Sequence, residues 1–243
     1  MLESEPDAIA SLRQLLDPKE QGQADRFRFA ADRDAYIAAH ALLRVMLSRA
    51  TGIEPADWRF QTGENDKPAL DPDQASCGLH FSLSHTRGLA ACAIGEPYPL
   101  GIDAEAWATQ TPIEIAERYF SAAEARLVAE KAEAERRATF YRLWTLKEAY
   151  LKATGQGLTA SLDSFAFHLD PVAIAVPAPY SAEAWRFAEF RPAPTHSIAL
   201  AVRSPEPVSI DAAVVPLLDC AGYSNAPSTA REYCKIDARQ TLG

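Results

Sequence analysis

The chain has 243 residues, of which 48% are hydrophobic, and it carries a formal net charge of −9. That length supports a sizeable folded core, and the acidic balance argues against broad binding to nucleic acid or anionic membranes, which needs clustered Lys and Arg. The four cysteines show no Cys-x-x-Cys spacing, and no apolar run approaches ~20 residues, so we predict a soluble cytoplasmic protein without zinc or disulfides.

The first part of the chain is predicted to be helical. Residues 1–11 show no period, so no element is predicted there. Apolar periodicity indicates a helical segment over residues 12–29, interrupted at Gly22, and a stronger helix over residues 32–49. The Pro- and polar-rich residues from 205 onward are expected to form a loosely attached tail.

Strands and helices alternate after this region. Ser121, three residues before Glu124, has the spacing of a capping box, so a charged helix is predicted over residues 122–134 and a second helix over 135–154. Alternating or continuous apolar runs predict strands. These lie at residues 58–62, 79–85, 89–94, 100–105, 164–169, 185–190 and 197–202.

The helix over residues 135–154 carries polar residues on one flank. Glu148 and Lys152 are one helical turn apart and therefore neighbours, which on a solvated face is an ordinary stabilising pair worth roughly 0.2–0.5 kcal/mol. Lys147 falls inside the apolar arc of the same helix, where an ammonium group needs a partner. We expect Lys147 to make a structural contact between the two halves of the molecule.

Two further carboxylates lie on a predicted strand. Asp103 and Glu105 are two residues apart, so both side chains point to one face, about 7 Å apart. The two carboxylates could coordinate one hard cation together. The alternative is that both lie on a strand face exposed to solvent. Glu148 would supply a third oxygen ligand, and such a donor set describes a Mg²⁺ site.

A polar cluster ends the predicted strand at residues 79–85. Ser84 and His85 belong to the run Ser-Leu-Ser-His-Thr, whose hydroxyl and imidazole groups can hold phosphate oxygens. The alternative is a turn whose Ser and Thr side chains bond to its own backbone. Lys67 lies in a turn-rich loop, where a solvated lysine is the ordinary interpretation.

Four stretches in this order resemble the motif series of the 4′-phosphopantetheinyl transferase superfamily. They are residues 67–68, 81–85, 101–105 and 144–152. The last stretch is similar to the W-x-x-K-E-A motif of the Sfp-type, two-halved members. The resemblance spans roughly residues 20–205. Members usually begin with a strand ahead of the first helical region, which residues 1–11 do not offer.

The resemblance implies an α+β fold of two pseudo-symmetric halves, with coenzyme A bound in the cleft between them. The expected division is residues 1–103, 104–205 and a tail at 206–243. The implied reaction moves the phosphopantetheine arm of coenzyme A to a serine of an apo acyl or peptidyl carrier protein, and it releases adenosine 3′,5′-bisphosphate. A monomer is expected because one chain already builds the cleft.

The resemblance also implies a role for each site residue. Asp103, Glu105 and Glu148 would hold Mg²⁺ on the diphosphate, with Glu148 also serving as the base. Lys152 would contact the phosphates and assist the leaving group. The remaining positions would hold the nucleotide, and these are Ser84 and His85 at its phosphates and Lys67 and Arg33 near the 3′-phosphate.

Two other functions remain open at this point. A carrier-protein or coenzyme A binding module could keep the fold without catalysis, and a Mg²⁺-dependent diphosphate hydrolase could use water in place of the carrier serine. An acidic carrier would need a local basic patch on this acidic chain. The candidates for that patch are Arg118, Arg126, Arg136, Arg137 and Arg142.

Overall fold

The computed structural model describes residues 6–63, 68–110, 113–157, 161–176, 184–214, 234–235 and 240–242. The helices are α1 (Pro6–Arg13), α2 (Pro18–Ala24), α3 (Ala30–Thr51), α4 (Pro72–Ala75), α5 (Ile113–Tyr119), α6 (Ala122–Glu130) and α7 (Glu133–Thr154). The first six strands are β1 (Phe60–Thr62), β2 (Pro68–Leu70), β3 (His80–Thr86), β4 (Leu89–Gly95), β5 (Leu100–Ala106) and β6 (Ala166–Leu169). The others are β7 (Val172–Ala175), β8 (Arg186–Phe190), β9 (His196–Val202), β10 (Val208–Ile210), β11 (Ala213–Val214), β12 (Cys234–Lys235) and β13 (Gln240–Leu242).

The N-terminal helices differ from the sequence prediction. Helix α1 begins at Pro6, in the stretch 1–11 for which no element was predicted, and it buries Ile9 and Leu12. Gly22 lies inside α2 and does not break it; the break falls at Asp17 instead. There the Asp17 side chain accepts the Glu20 N–H while the Glu20 carboxylate accepts the Asp17 N–H, a reciprocal cap that starts a new helix.

The central strands form two antiparallel sheets that meet along β3 and β5. Strands β3 and β4 make a hairpin, and β5, β9 and β8 form a three-stranded sheet in that order. Three hydroxyl oxygens of β3 accept hydrogen bonds of 3.0–3.1 Å from alternate N–H groups of β5. The pairs are Ser82 with Ile102, Ser84 with Ala104, and Thr86 with Ala106. These side chains therefore join the two sheets where backbone pairing does not.

A 22-residue helix packs on the strands in each half of the chain. Helix α3 covers the β3–β4 hairpin, and helix α7 lies against β5 and β9. Helix α7 and β5 approach so closely at Gly101 that a methyl group there would collide with Ala149 O and Ala153 N. The absence of a side chain at Gly101 therefore lets the helix lie directly on the strand.

The architecture confirms the predicted α+β class, with local differences. Helix α6 ends at Glu130, earlier than predicted, and α7 begins separately at Glu133. Strand β7 was not predicted; it pairs with β6 as a hairpin. In the expected tail, β10 pairs with β13 and β11 with β12, and Val208 and Ile210 pack on the β5–β9–β8 sheet. No helix in the described ranges is long and apolar enough to cross a bilayer.

Candidate active site

The candidate site is an open cavity of about 380 Å³ where β3, β5 and α7 meet. Its lining combines residues from both predicted halves of the chain. They are Leu83, Ser84, His85, Asp103, Ala104, Glu105, Trp144, Glu148 and Lys152. Six of the eight predicted site residues are thus brought together, three of them carboxylates from two different elements.

Lys152, Asp103 and Ser84 form a triangle at the base of the cavity. Lys152 Nζ lies 2.7 Å from Asp103 Oδ1 and donates to Ser84 Oγ over 3.0 Å. Ser84 Oγ also donates to Asp103 Oδ1 over 3.1 Å and accepts the Ala104 N–H. A hydroxyl has one proton to donate, and that of Ser84 is directed to Asp103. In this arrangement Ser84 orients the carboxylate and the lysine.

Asp103 is the most deeply buried carboxylate of the cavity, with 4% of its surface exposed. Its Oδ1 atom holds Lys152 and Ser84, but its buried Oδ2 atom has no hydrogen-bond partner in the part of the chain that the structure describes. A buried carboxylate oxygen without a donor is costly unless a cation supplies the missing interaction. This atom is therefore suited to a metal ligand.

Glu105 is held by the tryptophan that begins the W-x-x-K-E-A stretch, for which the sequence predicted no site role. Trp144 Nε1 donates to Glu105 Oε1 over 3.2 Å. Burial, the nearby Asp103 carboxylate and, more weakly, Glu148 raise the pKa of Glu105 to about 7, while Trp144 and Lys152 oppose the shift. Trp144 precedes Glu148 by one turn on α7, so helical spacing could have identified it as a neighbour of the site.

Glu148 lines the cavity beside Lys152, one turn earlier on α7. Burial and the charge of Asp103 raise the pKa of Glu148, and Lys152 partly opposes this. The Glu148/Lys152 flank of the helix therefore faces a cavity and not bulk solvent. The mutual repulsion of three carboxylates is the electrostatic condition under which a divalent cation binds well.

His85 lies at the exposed rim of the cavity, at the end of β3. Partial burial and the positive charges of His40 and Lys152 lower the pKa of His85, and Asp32 opposes the shift. Arg33 is not among the cavity residues; its guanidinium pairs with Asp34 at 3.0 Å on α3. Lys67 lies outside the residues that the structure describes.

The residues present fit a hard divalent cation in the chemistry of their donors. Asp103, Glu105 and Glu148 offer carboxylate oxygens on one cavity, and Asp103 Oδ2 is buried without a partner among the described residues. Within the described ranges, no group of three or more acidic, His or Cys side chains is already gathered closely enough to hold a metal.

The predicted contact of Lys147 between the halves is wrong, because all its partners lie in the second half. Lys147 Nζ is 2.9 Å from Glu124 Oε2 and donates to the carbonyl oxygens of Leu162 and Phe165 over 2.8 and 2.7 Å. The side chain is fully buried, and the ammonium lies 4.4 Å from the Phe165 ring centroid. Lys147 thus ties α7 to α6 and to the segment that precedes β6.

Matches to family models cover most of the chain. Residues 3–96 match the model described as "4′-phosphopantetheinyl transferase, N-terminal", and residues 99–202 match that of the 4′-phosphopantetheinyl transferase superfamily. A solved structure, the Thermotoga maritima holo-[acyl-carrier-protein] synthase, aligns at a TM-score of 0.38 with 24% identity, over 46% of this chain and 67% of that one. That similarity is too low to support an argument.

Named relatives point to the same family. The 4′-phosphopantetheinyl transferase HetI of Nostoc sp. is 34% identical over 171 residues, which is 70% of this chain and 72% of HetI. The 4′-phosphopantetheinyl transferase Sfp of Bacillus subtilis is 34% identical over 154 residues, which is 63% of this chain and 66% of Sfp. The chain therefore belongs to the 4′-phosphopantetheinyl transferase superfamily, as its motifs predicted.

Proposed function

We propose that this protein transfers the 4′-phosphopantetheine arm of coenzyme A to a serine hydroxyl of an apo carrier protein. The serine oxygen forms a bond to the phosphorus that bears the pantetheine arm, and the bond from that phosphorus to the bridging oxygen breaks. Adenosine 3′,5′-bisphosphate leaves. The proposal is supported above all by one cavity that three carboxylates and a lysine line together, in a chain of a transferase family. These residues are Asp103, Glu105, Glu148 and Lys152.

The three carboxylates would hold Mg²⁺ on the diphosphate. Asp103 would offer its unpaired Oδ2 atom, and Glu105 and Glu148 would each offer an oxygen. The bound ion would neutralise the charge of the diphosphate. The pKa values of both glutamates are raised by burial and then by the charge of Asp103, and this supports the role, because a bound cation would relieve both effects.

Glu148 would accept the proton of the attacking hydroxyl, directly or through one water. A general base works best when its pKa lies near the working pH, and the pKa of Glu148 is raised by burial and by Asp103. Lys152 would stabilise the phosphate that leaves. Its contacts with Asp103 and Ser84 hold the ammonium at the cavity base before the substrate arrives.

The nucleotide would be held at the rim of the cavity. His85, which lines the cavity, would contact its phosphates. Lys67 and Arg33 would bind near the 3′-phosphate. For Ser84 we propose a changed role, since its proton already goes to Asp103. Ser84 would contribute chiefly by orienting Asp103 and Lys152.

The carrier protein would dock through a smaller basic patch than the five arginines expected from the sequence. Arg142 forms two hydrogen bonds of 2.8 Å with the Glu189 carboxylate, so its charge is already compensated. Arg118 and Arg126 lie exposed on α5 and α6, and the exposed ring of Tyr119 lies under Arg118. We propose these two arginines as contacts for an acidic carrier, and we expect the protein to act as a cytoplasmic monomer.

One assay tests this function against its alternatives. The protein is incubated with coenzyme A, Mg²⁺ and an apo carrier protein, and the carrier is analysed by intact mass. Addition of a phosphopantetheine group supports the proposal. Release of adenosine 3′,5′-bisphosphate without carrier modification would indicate a hydrolase, and coenzyme A binding with neither reaction would indicate a binding module.

A further inference from the structure

Three rings connect the core of α3 to the rim of the cavity. Tyr36 stacks on His40, one turn later in α3, with ring centroids 4.0 Å apart and an interplanar angle of 29°. The same Tyr36 ring meets His85 edge to face, at 6.3 Å and 89°. Both geometries are favourable for aromatic pairs. His85 lines the cavity, whereas Tyr36 and His40 do not.

The inner end of this stack is anchored in a buried charge network. His40 Nδ1 lies 2.8 Å from Glu20 Oε1, and the other Glu20 oxygen lies 2.8 Å from the fully buried guanidinium of Arg44. Arg44 also donates to the carbonyl oxygens of Pro55 and Trp58 over 2.7 and 3.0 Å. The position of the His40 ring is therefore fixed by groups that have little freedom to move.

Tyr36 contacts His85 through its ring. Burial and the nearby carboxylates of Glu20 and Asp17 raise the pKa of Tyr36 to about 12, so its phenol stays neutral at physiological pH. The neutral edge-to-face contact restricts the orientations open to the His85 imidazole. His85 is otherwise exposed, and an exposed side chain would sample several rotamers.

We propose that Tyr36 and His40 are positioning residues that hold the His85 imidazole at the cavity rim for a phosphate group of the nucleotide. The inference rests on the proposed function for the identity of the ligand. Neither residue touches the reacting atoms. Their effect is expected on coenzyme A binding through His85, and not on the transfer step at Glu148 and Lys152.

The test compares Y36L, Y36F, H85A and the double variant Y36L/H85A in steady-state assays. Removing the aromatic ring should raise KM for coenzyme A roughly three- to tenfold, the range expected for one aromatic contact, with kcat within about twofold. Y36F keeps the ring and should behave as the unsubstituted protein. In the H85A background, Y36L should cause no further rise in KM. The proposal would be overturned if the KM effects of Y36L and H85A multiplied in the double variant, or if Y36L lowered kcat by as large a factor as it raised KM.

A second measurement tests the ring contacts among Tyr36, His40 and His85 without catalysis. The ring protons of His85 are assigned by NMR, and adenosine 3′,5′-bisphosphate is titrated into each variant. Y36L should shift the His85 signals and weaken binding of this ligand, H40L should do so to a smaller extent, and Y36F should do neither. Unchanged His85 signals in Y36L would refute the stack. If the unsubstituted protein modified no carrier, the proposed function would fail while this titration still decided the role of Tyr36.

Discussion

Lys152 Nζ lies 2.7 Å from Asp103 Oδ1, so the lysine of the helix and the first carboxylate of the strand are already joined before any ligand is bound. Ser84 contacts both groups and thereby fixes their separation. The pair leaves Asp103 Oδ2 as the atom available to a cation. One side of Asp103 thus serves Lys152, and the other side is suited to Mg²⁺.

Replacing Glu148 by Gln should nearly abolish transfer while the protein remains folded. The amide keeps the size of the side chain but cannot accept a proton and is a weaker metal ligand. We expect kcat to fall by about 10²- to 10⁴-fold, the usual contribution of a general base. E130Q on the exposed end of α6 is the matched control and should leave turnover unchanged. Near-normal turnover of E148Q would remove Glu148 from the proposed mechanism.

Replacing Asp103 by Ala should sharply raise the Mg²⁺ concentration needed for half-maximal activity. The variant loses the Oδ2 atom and also the contact of Asp103 with Lys152. The measurement is a Mg²⁺ titration of activity at saturating coenzyme A, with circular dichroism to verify folding. An unchanged titration curve would mean that Asp103 is not a metal ligand.

Local spacing predicted which polar residues would be neighbours within each element that lines the cavity. Two-residue spacing put Asp103 and Glu105 on one face of a strand, and four-residue spacing paired Glu148 with Lys152 on a helix. That the two elements meet could be inferred only from the family motifs. The same rules predicted Lys147 inside the apolar arc.

What the sequence did not predict depends on contacts between distant residues. Glu124 lies 23 positions before Lys147, and nothing in local spacing identifies it as the buried partner. The pairing of Glu20 with Arg44 and His40 is similarly distant along the chain. Ser84 was expected to hold phosphate, and only the three-dimensional contact with Asp103 shows where its proton goes.

Glu105 should destabilise the metal-free protein progressively as the pH rises from about 4.5 to about 7. The pKa of Glu105 is raised from 4.5 to about 7 in the folded state, so this carboxyl binds more protons in the folded protein than in the unfolded chain within this window. Its contribution to the free energy of unfolding therefore decreases with pH there; Glu148 acts in the same direction, whereas the lowered pKa of His85 acts in the opposite one.

Thermal melting at several pH values checks this dependence. E105Q should lose this contribution, so between pH 4.5 and 7 its stability should fall less, or rise more, with pH than that of the unsubstituted protein, since the amide does not titrate. Mg²⁺ should raise the melting temperature more at pH 8 than at pH 5, because it binds the ionised carboxylates. A stability that rose with pH across this window in the unsubstituted protein, but not in E105Q, would contradict the assigned environment of Glu105.

Replacing Gly101 by Ala should destabilise the fold by about 1–3 kcal/mol, the usual cost of overpacking, because the added methyl would meet Ala149 O and Ala153 N. Backbone atoms cannot rotate away, so α7 must shift from β5 and move Glu148 and Lys152 with it. Urea unfolding measures the loss in the free energy of unfolding. Turnover of coenzyme A shows whether the shift of Glu148 and Lys152 lowers activity.

G22A is the matched control for G101A, since it makes the same change inside α2 with no atom within 4 Å of the new methyl group. Alanine in the helix interior should stabilise it by roughly 0.5–1 kcal/mol relative to glycine. Equal effects of G22A and G101A would show that the close approach of α7 to β5 does not limit residue size at position 101.

Lys147 should matter for stability and not for the chemical step, although it lies next to Glu148 in the motif. K147M removes the partner of Glu124 inside the core and should cost about 3–5 kcal/mol, the usual penalty for an uncompensated buried charge. The double variant K147M/E124Q removes both charges and should recover part of this loss, whereas K19M on the exposed face of α2 should change little. Chemical unfolding of the unsubstituted protein and the three variants measures these differences.

At temperatures where K147M is folded, its kcat should stay within about threefold of the unsubstituted value, because the described contacts of the ammonium lie away from the cavity. A large loss of kcat in a fully folded K147M would place this lysine in the catalytic machinery after all.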